Sequence, residues 1–245
     1  MPHTRKTLTA PFHAHIITLF PEVFPGFLGH SLSGKALEKG IWSFDTVNPR
    51  AHAPDMHRTV DDTPFGGGAG MVMKPDVLSR TLEAHQPLGR LIYLSPRGRP
   101  LTQQMARELT QEPRLTLLCG RYEGVDQRLL DAYEIEEISI GDYVLSGGEQ
   151  AAMILLDSII RLLPEVVGNM ETHSEESFTD SLLEYPHYTR PAEWTDPKGV
   201  IHKVPEVLTS GHHAQITAWR RAESERITKE RRPDLYAKYA DRSKK

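Results

Sequence analysis

The sequence predicts an α/β fold with a mostly parallel sheet, followed by a small, mainly helical C-terminal domain. Two observations carry this. Short strand-like apolar runs alternate with longer helix-like runs as far as Leu163, the mark of successive βαβ units. After Leu163 the alternation stops, and a polar, carboxylate-rich stretch leads into a segment rich in proline and aromatic residues, then a basic helical run.

Taken in order, "HIITLF" (15–20) reads as a strand closed by Pro21, and residues 24–40 as a turn followed by a helix that ends at Gly40. "WSFDTV" (42–47) is the next strand. The stretch "HRTVDDTPFGGGAGMVM" (57–73) is a polar, glycine-dense loop, and "PDVLSRTLEAH" (75–85) is helical. Three units of strand, loop and helix follow: "LIYLS" before "PRGRPLTQQMAREL", "LTLLCG" before "RYEGVDQRLLDAY", and "EEISIGDYVL" before "SGGEQAAMILLDSIIRLL". In such sheets ligands bind beyond the carboxyl ends of the strands, where neighbouring loops converge. Here those loops begin near Ser95, Gly120 and Gly141. The expected organisation is a loose tail (1–14), a ligand-binding domain (15–168), a linker (169–176) and a helical domain (177–245). The last contains a helix from about Gly211 to Arg232 that carries Ile216, Trp219 and Ile227 and is stopped by Pro233.

At 245 residues and 38% hydrophobic, the chain can bury a substantial core. Its longest apolar run, "AAMILLDSIIRLL", is broken by Asp157 and Arg161 and falls short of the roughly 18 residues of a membrane span, so no membrane partner is expected. The first residues have no apolar stretch behind their charges and do not read as a signal peptide. A single cysteine, Cys119, leaves no internal disulfide and fits a cytoplasmic protein. The histidines are scattered, and adjacent His212 and His213 point apart on a helix, which argues against a metal site there. From Trp219 to Lys245 there are ten Lys/Arg against five Asp/Glu, although the whole chain has a net charge of -4. That basic end either meets a polyanion or is a solvated helix face.

Neither the P-loop pattern nor the dinucleotide G-x-G-x-x-G pattern occurs; "GGGAG" (66–70) lacks the lysine and the spacing. The glycines at 120, 141, 147 and 148 either make turns or let a flat ring reach backbone N–H and C=O groups. Glu123, Tyr122 and Tyr143 can face a cation. An adenosine joined to a positive sulfonium, as in S-adenosylmethionine, has the chemistry that such loops suit.

Six motifs then carry a resemblance: "LFPEVF" (19–24), "RTVDDTPFGGGAGM" (58–71), "YLSPRG" (93–98), "CGRYEGVDQR" (119–128), "SIGDYVLSGGE" (139–149) and "PHYTRP" (186–191). From about Ile16 to Arg232 the chain resembles the bacterial tRNA (guanine-N1)-methyltransferases, within the knotted SPOUT superfamily. The resemblance implies a deep trefoil knot, an exception to the rule that chains do not thread loops. It also implies a homodimer whose sites are completed by the partner, S-adenosylmethionine as methyl donor, a requirement for Mg2+, and a tRNA with guanosine immediately 3′ of the anticodon as substrate.

By the same resemblance the cofactor is held by Tyr93, Leu94, Ser95 and Pro96 of the first loop, and by Gly120, Arg121, Tyr122 and Glu123 of the second. The third contributes Ser139, Ile140, Gly141, Tyr143, Leu145, Gly147 and Gly148. Methylation at N1 needs a base for the N1 proton and a cation for charge that develops at O6. The family places an Asp directly before Ser-Phe in the linker; here "EESF" puts Glu176 there, with Glu175 behind it. The extra bond adds about 1.5 Å of reach, which a loop that orders on binding can absorb. Arg161 matches the family's catalytic arginine, or forms an ion pair with Asp157. Arg58, Asp62, Gly66, Gly67, Gly68 and Met71 would meet the target base or its neighbour, with Ala69 where the family more often has proline. His187, Tyr188, Arg190, Arg220 and Arg221, with Arg231 and Arg232, would grip the anticodon stem. No residue set reads as a dedicated metal cage.

Overall fold

A computed structural model describes residues 11–167, 177–178 and 180–242. The chain divides into two units, Met1–Gly168 and Asn169–Lys245. Of the expected tail, residues 1–10 lie outside the described residues, as does the whole linker 169–176.

The first unit runs β1 (Phe12–Ile17), α1 (Ser31–Glu38), β2 (Trp42–Val47), β3 (Asp61–Asp62), β4 (Val72–Met73), α2 (Pro75–Ala84) and β5 (Arg90–Pro100). It continues with α3 (Gln103–Leu109), β6 (Arg114–Leu118), α4 (Gln127–Ala132), β7 (Glu136–Ser139) and α5 (Gly148–Ile160). Five strands form one sheet in the order β2-β1-β6-β5-β7, and every neighbouring pair is parallel. The expected α/β class with a mostly parallel sheet is therefore what the chain adopts.

Burial on both faces explains why the strands read as nearly continuous apolar runs. Along β5, Ile92 and Leu94 point into one core with Phe12, Ala14, Ile16, Leu115 and Leu117, covered by α1, α3 and α5. Leu91 and Tyr93 point into the other, with Ile17, Leu118, Val77, Leu82 and Leu129, covered by α2 and α4. Local signals set the helix starts. Thr102 Oγ1 accepts from Met105 N–H at 3.1 Å, Asp126 Oδ1 accepts from Arg128 N–H at 2.9 Å, and Pro75 occupies the first turn of α2.

Several boundaries differ from the sequence reading. The first strand begins at Phe12, ahead of the expected His15, because Phe12 and Ala14 fill the core beside β2. The glycine-dense loop is pinned at both ends, where β3 and β4 pair antiparallel. The stretch "PRGRP" is not simply a loop: β5 continues to Pro100, with a register shift against β7 between Leu94 and Arg99. The third strand stops at Ser139, so "IGDYVL" is loop.

The second unit holds helices α6 (Glu206–Thr209), α7 (His213–Arg231) and α8 (Pro233–Arg242), and an antiparallel hairpin of β8 (Glu193–Thr195) and β9 (Ile201–Lys203) that the sequence reading did not anticipate. Ile227 is buried, and α7 packs on α8, where Tyr239 Oη donates to Glu225 Oε1 at 2.5 Å. Pro233 ends α7 and also opens α8, since a first-turn proline has no N–H bond to lose.

Candidate functional site

Strand order decides where the loops meet. β6, β5 and β7 are neighbours in the sheet although they are not in chain order, so the loops leaving their carboxyl ends converge on one cavity of about 220 Å³. All the residues expected to hold the cofactor line it: Tyr93 to Pro96, Gly120 to Glu123, and Ser139, Ile140, Gly141, Tyr143, Leu145, Gly147 and Gly148. Gly124, Ile138, Val144, Ser146 and Ala151 line it as well. Val144 and Ser146 lie between expected residues, while Gly124, Ile138 and Ala151 flank them on the adjoining loop, strand and helix.

The paired glycines sit where two backbones touch. Gly148 N–H donates to Gly120 O at 2.9 Å, and a Cβ on Gly148 would stand 2.8 Å from Cys119 Cα. Helix α5 starts at this crossing and carries its first turn under the cavity. Tyr122 and Tyr143 are about half exposed at the rim, at 49% and 52%. Among the described residues that line the cavity, Arg121 is the one cation and Glu123 the one anion. Arg121 is itself matched, since its Nη2 lies 2.9 Å from Glu149 Oε2. With no surplus positive charge, aliphatic walls at Leu94, Ile138, Ile140 and Leu145, and a free-facing carboxylate, the donor set fits a neutral or cationic nucleoside and not a polyphosphate. Cys119 beneath the cavity is fully buried; burial, and then the Glu149 carboxylate, push its thiol well above the ordinary value, so it stays protonated and is no nucleophile.

The glycine-dense loop is tied to the second cavity loop. Glu123 N–H donates to Met71 O at 2.9 Å, Met73 N–H to Gly124 O at 2.9 Å, and Asp126 N–H to Met73 O at 3.2 Å. Gly66, Gly67 and Gly68 are exposed, and Phe65 among them is 98% exposed. Asp62 and Phe65 also line a second, open cavity of about 890 Å³ beside α4. Arg58 and Asp62 have local roles besides: Arg58 O accepts from Arg50 Nη1 at 3.1 Å, and Asp62 Oδ1 accepts from Thr63 N–H at 2.8 Å.

Of the two expected catalytic residues, the one that is described, Arg161, does not line this cavity. Glu176 lies outside the described residues. Arg161 follows the last residue of α5, is half-buried, and donates its backbone N–H to Asp157 O at 3.2 Å. At about 1.5 Å per residue, α5 separates it from Gly148 by roughly 20 Å.

In the second unit, Tyr188 packs on Trp219 with ring centroids 6.2 Å apart, and the Arg220 guanidinium lies 4.9 Å above the Tyr185 ring. His187 Nε2 meets Glu184 Oε1 at 2.8 Å, and Arg190 is exposed. Arg221 is engaged internally, at 3.1 Å from Glu225 and 3.5 Å from Asp180.

A parallel α/β sheet with a nucleoside-sized cavity at its carboxyl ends defines the class. The family model described as tRNA (Guanine-1)-methyltransferase TrmD matches residues 12–238. The chain is similar to the tRNA (guanine-N(1)-)-methyltransferase of Rhodospirillum rubrum, 63% identical over 227 residues that cover 92% of this chain and 93% of that protein. It is similar to the proteins of that description from Cereibacter sphaeroides, 55% identical over 95% of this chain and 94% of the relative, and Rhizobium etli, 56% identical over 93% and 96%. This chain belongs to the tRNA (guanine-1)-methyltransferase family, part of the SPOUT superfamily.

Proposed function

We propose that this protein transfers a methyl group from S-adenosylmethionine to N1 of the guanosine immediately 3′ of the anticodon of tRNA. Family membership carries the enzyme class, the tRNA substrate and the methyl donor. The cavity supports the donor, because among the described lining residues the one charge without an ion pair is the Glu123 carboxylate, and the walls are aliphatic and aromatic. When bound, the donor supplies an electrophilic methyl group on a positive sulfur. The residues of this chain then have three tasks.

The cavity loops orient the donor and exclude water. Glu176 would accept the N1 proton of guanine as the methyl group passes from the donor sulfur to N1, the S–C bond breaking as the N–C bond forms, a role typically worth about 10²–10⁴-fold. Arg161 stabilises the charge that develops at O6, worth about 10²–10³-fold. The length of α5, which separates Arg161 from Gly148, supports a role for Arg161 at the site of a second copy. Exposed apolar side chains on adjoining elements support that homodimer: Phe27 is 51% exposed, Leu32 49% and Ile154 42%. The deep trefoil knot belongs to the same reading. Its support is the close approach of backbones at Gly98, where a Cβ would stand 2.4 Å from Ile138 N, and at Gly148.

In the second unit His187, Tyr188, Arg190 and Arg220 offer rings and guanidinium groups to the anticodon stem, together with the basic end of the chain. Among the described residues no group of three or more His, Cys, Asp or Glu forms a metal cage. No described helix is long and apolar enough to cross a membrane.

The test uses labelled S-adenosylmethionine and two tRNA transcripts, with guanosine or adenosine 3′ of the anticodon. Transfer to the guanosine transcript alone, with the product identified as 1-methylguanosine, is the expected result. Glu176→Gln should bind both ligands and lose about 10²-fold or more in kcat. A methyl group on ribose, or no transfer to the guanosine transcript, would overturn the reading.

A further inference from the structure

The cavity wall does not account for the carboxylate buried beneath it. Glu149 is 2% exposed in the first turn of α5, and a glutamate is rarely so deep unless paired. Its Oε1 accepts from Thr18 Oγ1 at 2.7 Å, and its Oε2 lies 2.9 Å from Arg121 Nη2, a close charge contact without hydrogen-bond alignment. Thr18 directly follows β1, and Arg121 lies in the second cavity loop, which follows β6. Arg121 also donates from Nη1 to Ser146 O in the third loop at 3.2 Å, and its guanidinium lies 4.3 Å above the Phe20 ring. One guanidinium therefore joins the ends of β1 and β6, the third loop and the start of α5. The N-terminal turn of α5 favours the carboxylate there. Removing one partner of such a pair leaves the other charge uncompensated in a poorly solvated place.

We propose that Glu149 is a positioning residue for the methyl donor. Through Arg121 it locks the second cavity loop against the third, so the donor enters a pocket already formed instead of one it must order. This rests on the proposed function, with S-adenosylmethionine as the occupant. Loop ordering left to the binding step weakens affinity, while the saturated enzyme regains the same arrangement at the reacting atoms. A merely structural carboxylate would lower stability and leave donor affinity of the folded protein intact.

The experiment measures binding of S-adenosylmethionine and of its demethylated product by calorimetry, with kcat at saturating donor and thermal unfolding of each variant. Glu149→Gln keeps the shape and an acceptor for Thr18 while removing the charge. Donor Kd and KM should rise by roughly 10-fold or more, the scale of one hydrogen bond to a charged group, with kcat within about 2-fold. Arg121→Gln should weaken binding too, and the double variant should be no weaker than the worse single variant. If Glu149→Gln does not fold, Thr18→Val removes the other tether of the carboxylate and should raise Kd in the same way. Unchanged Kd in the folded variant, a loss confined to kcat, or fully additive effects would overturn the proposal. If the wild-type protein binds no S-adenosylmethionine, the functional reading itself fails and takes this one with it.

Discussion

Gly147 and Gly148 look equivalent in the sequence, yet they answer to different constraints. A Cβ at Gly148 would meet backbone, 2.8 Å from Cys119 Cα and 2.9 Å from Gly120 N. A Cβ at Gly147 would meet side chains, chiefly the Arg121 guanidinium, and its φ of 179° is extended backbone open to any residue. Gly148→Ala is therefore expected to cost about 1–3 kcal/mol in unfolding free energy, as overpacking does, and to weaken donor binding. Gly147→Ala should cost less stability while still disturbing Arg121. Thermal unfolding and calorimetry on both variants check this, and equal destabilisation would contradict it. At this scale the motifs made the cavity residues legible. The Thr18–Glu149 contact was not legible, because its partners are 131 residues apart and neither belongs to a pattern that names the other.

Strands β1 and β2, the 3-10 turn Pro49–His52 and the residue that caps α2 together assemble a histidine cluster that no motif announces. His13 and His15, on one face of β1, both reach Asp45 on β2, at 2.5 and 2.6 Å. His15 stacks on His85 with centroids 5.2 Å apart, and His52 meets His85 edge-on at 5.0 Å. Burial holds His15 below its ordinary 6.5 despite the opposing pull of Asp45, and burial followed by His85 does the same to His52. Burial raises the Asp45 carboxyl, but the hydrogen bond to His13 and the two imidazoles outweigh it and hold the group below 3.8. The unfolded chain thus takes up protons on His15 and His52 before the folded one. Their contribution to stability is present above about 6.5 and is lost as the pH falls below it. Asp45 adds a second loss below 3.8. Unfolding midpoints followed from neutral to mildly acid pH should fall, and His15→Gln should flatten the curve; parallel curves would refute the assignment. The extension of β5 was also hidden. "PRGRP" has the composition of a loop, and only pairing with β7 past a register shift makes it strand.

Across the whole molecule, tRNA has to be held largely through its phosphates, and those contacts make affinity fall with salt. Removing Arg190 and Arg220 together should weaken binding of all tRNA transcripts and reduce the log–log salt slope by about 1–2. Arg221, whose charge Glu225 and Asp180 already draw on, should matter less than the exposed Arg190. Binding titrations at several salt concentrations check both, and an unchanged slope for the double variant would remove these residues from the interface. The sequence by itself determined the α/β class, the three loops and the motifs that mark the family, because apolar periodicity and glycine-rich turns are local. Only the tertiary structure decided the order β2-β1-β6-β5-β7, which makes neighbours of loops distant in the chain. It also decided that Glu149 is buried against Arg121 and that Arg161 lies at the far end of α5. The physical reason is that strand order, close backbone approach and buried charge pairing depend on long-range contacts, which no window of sequence contains.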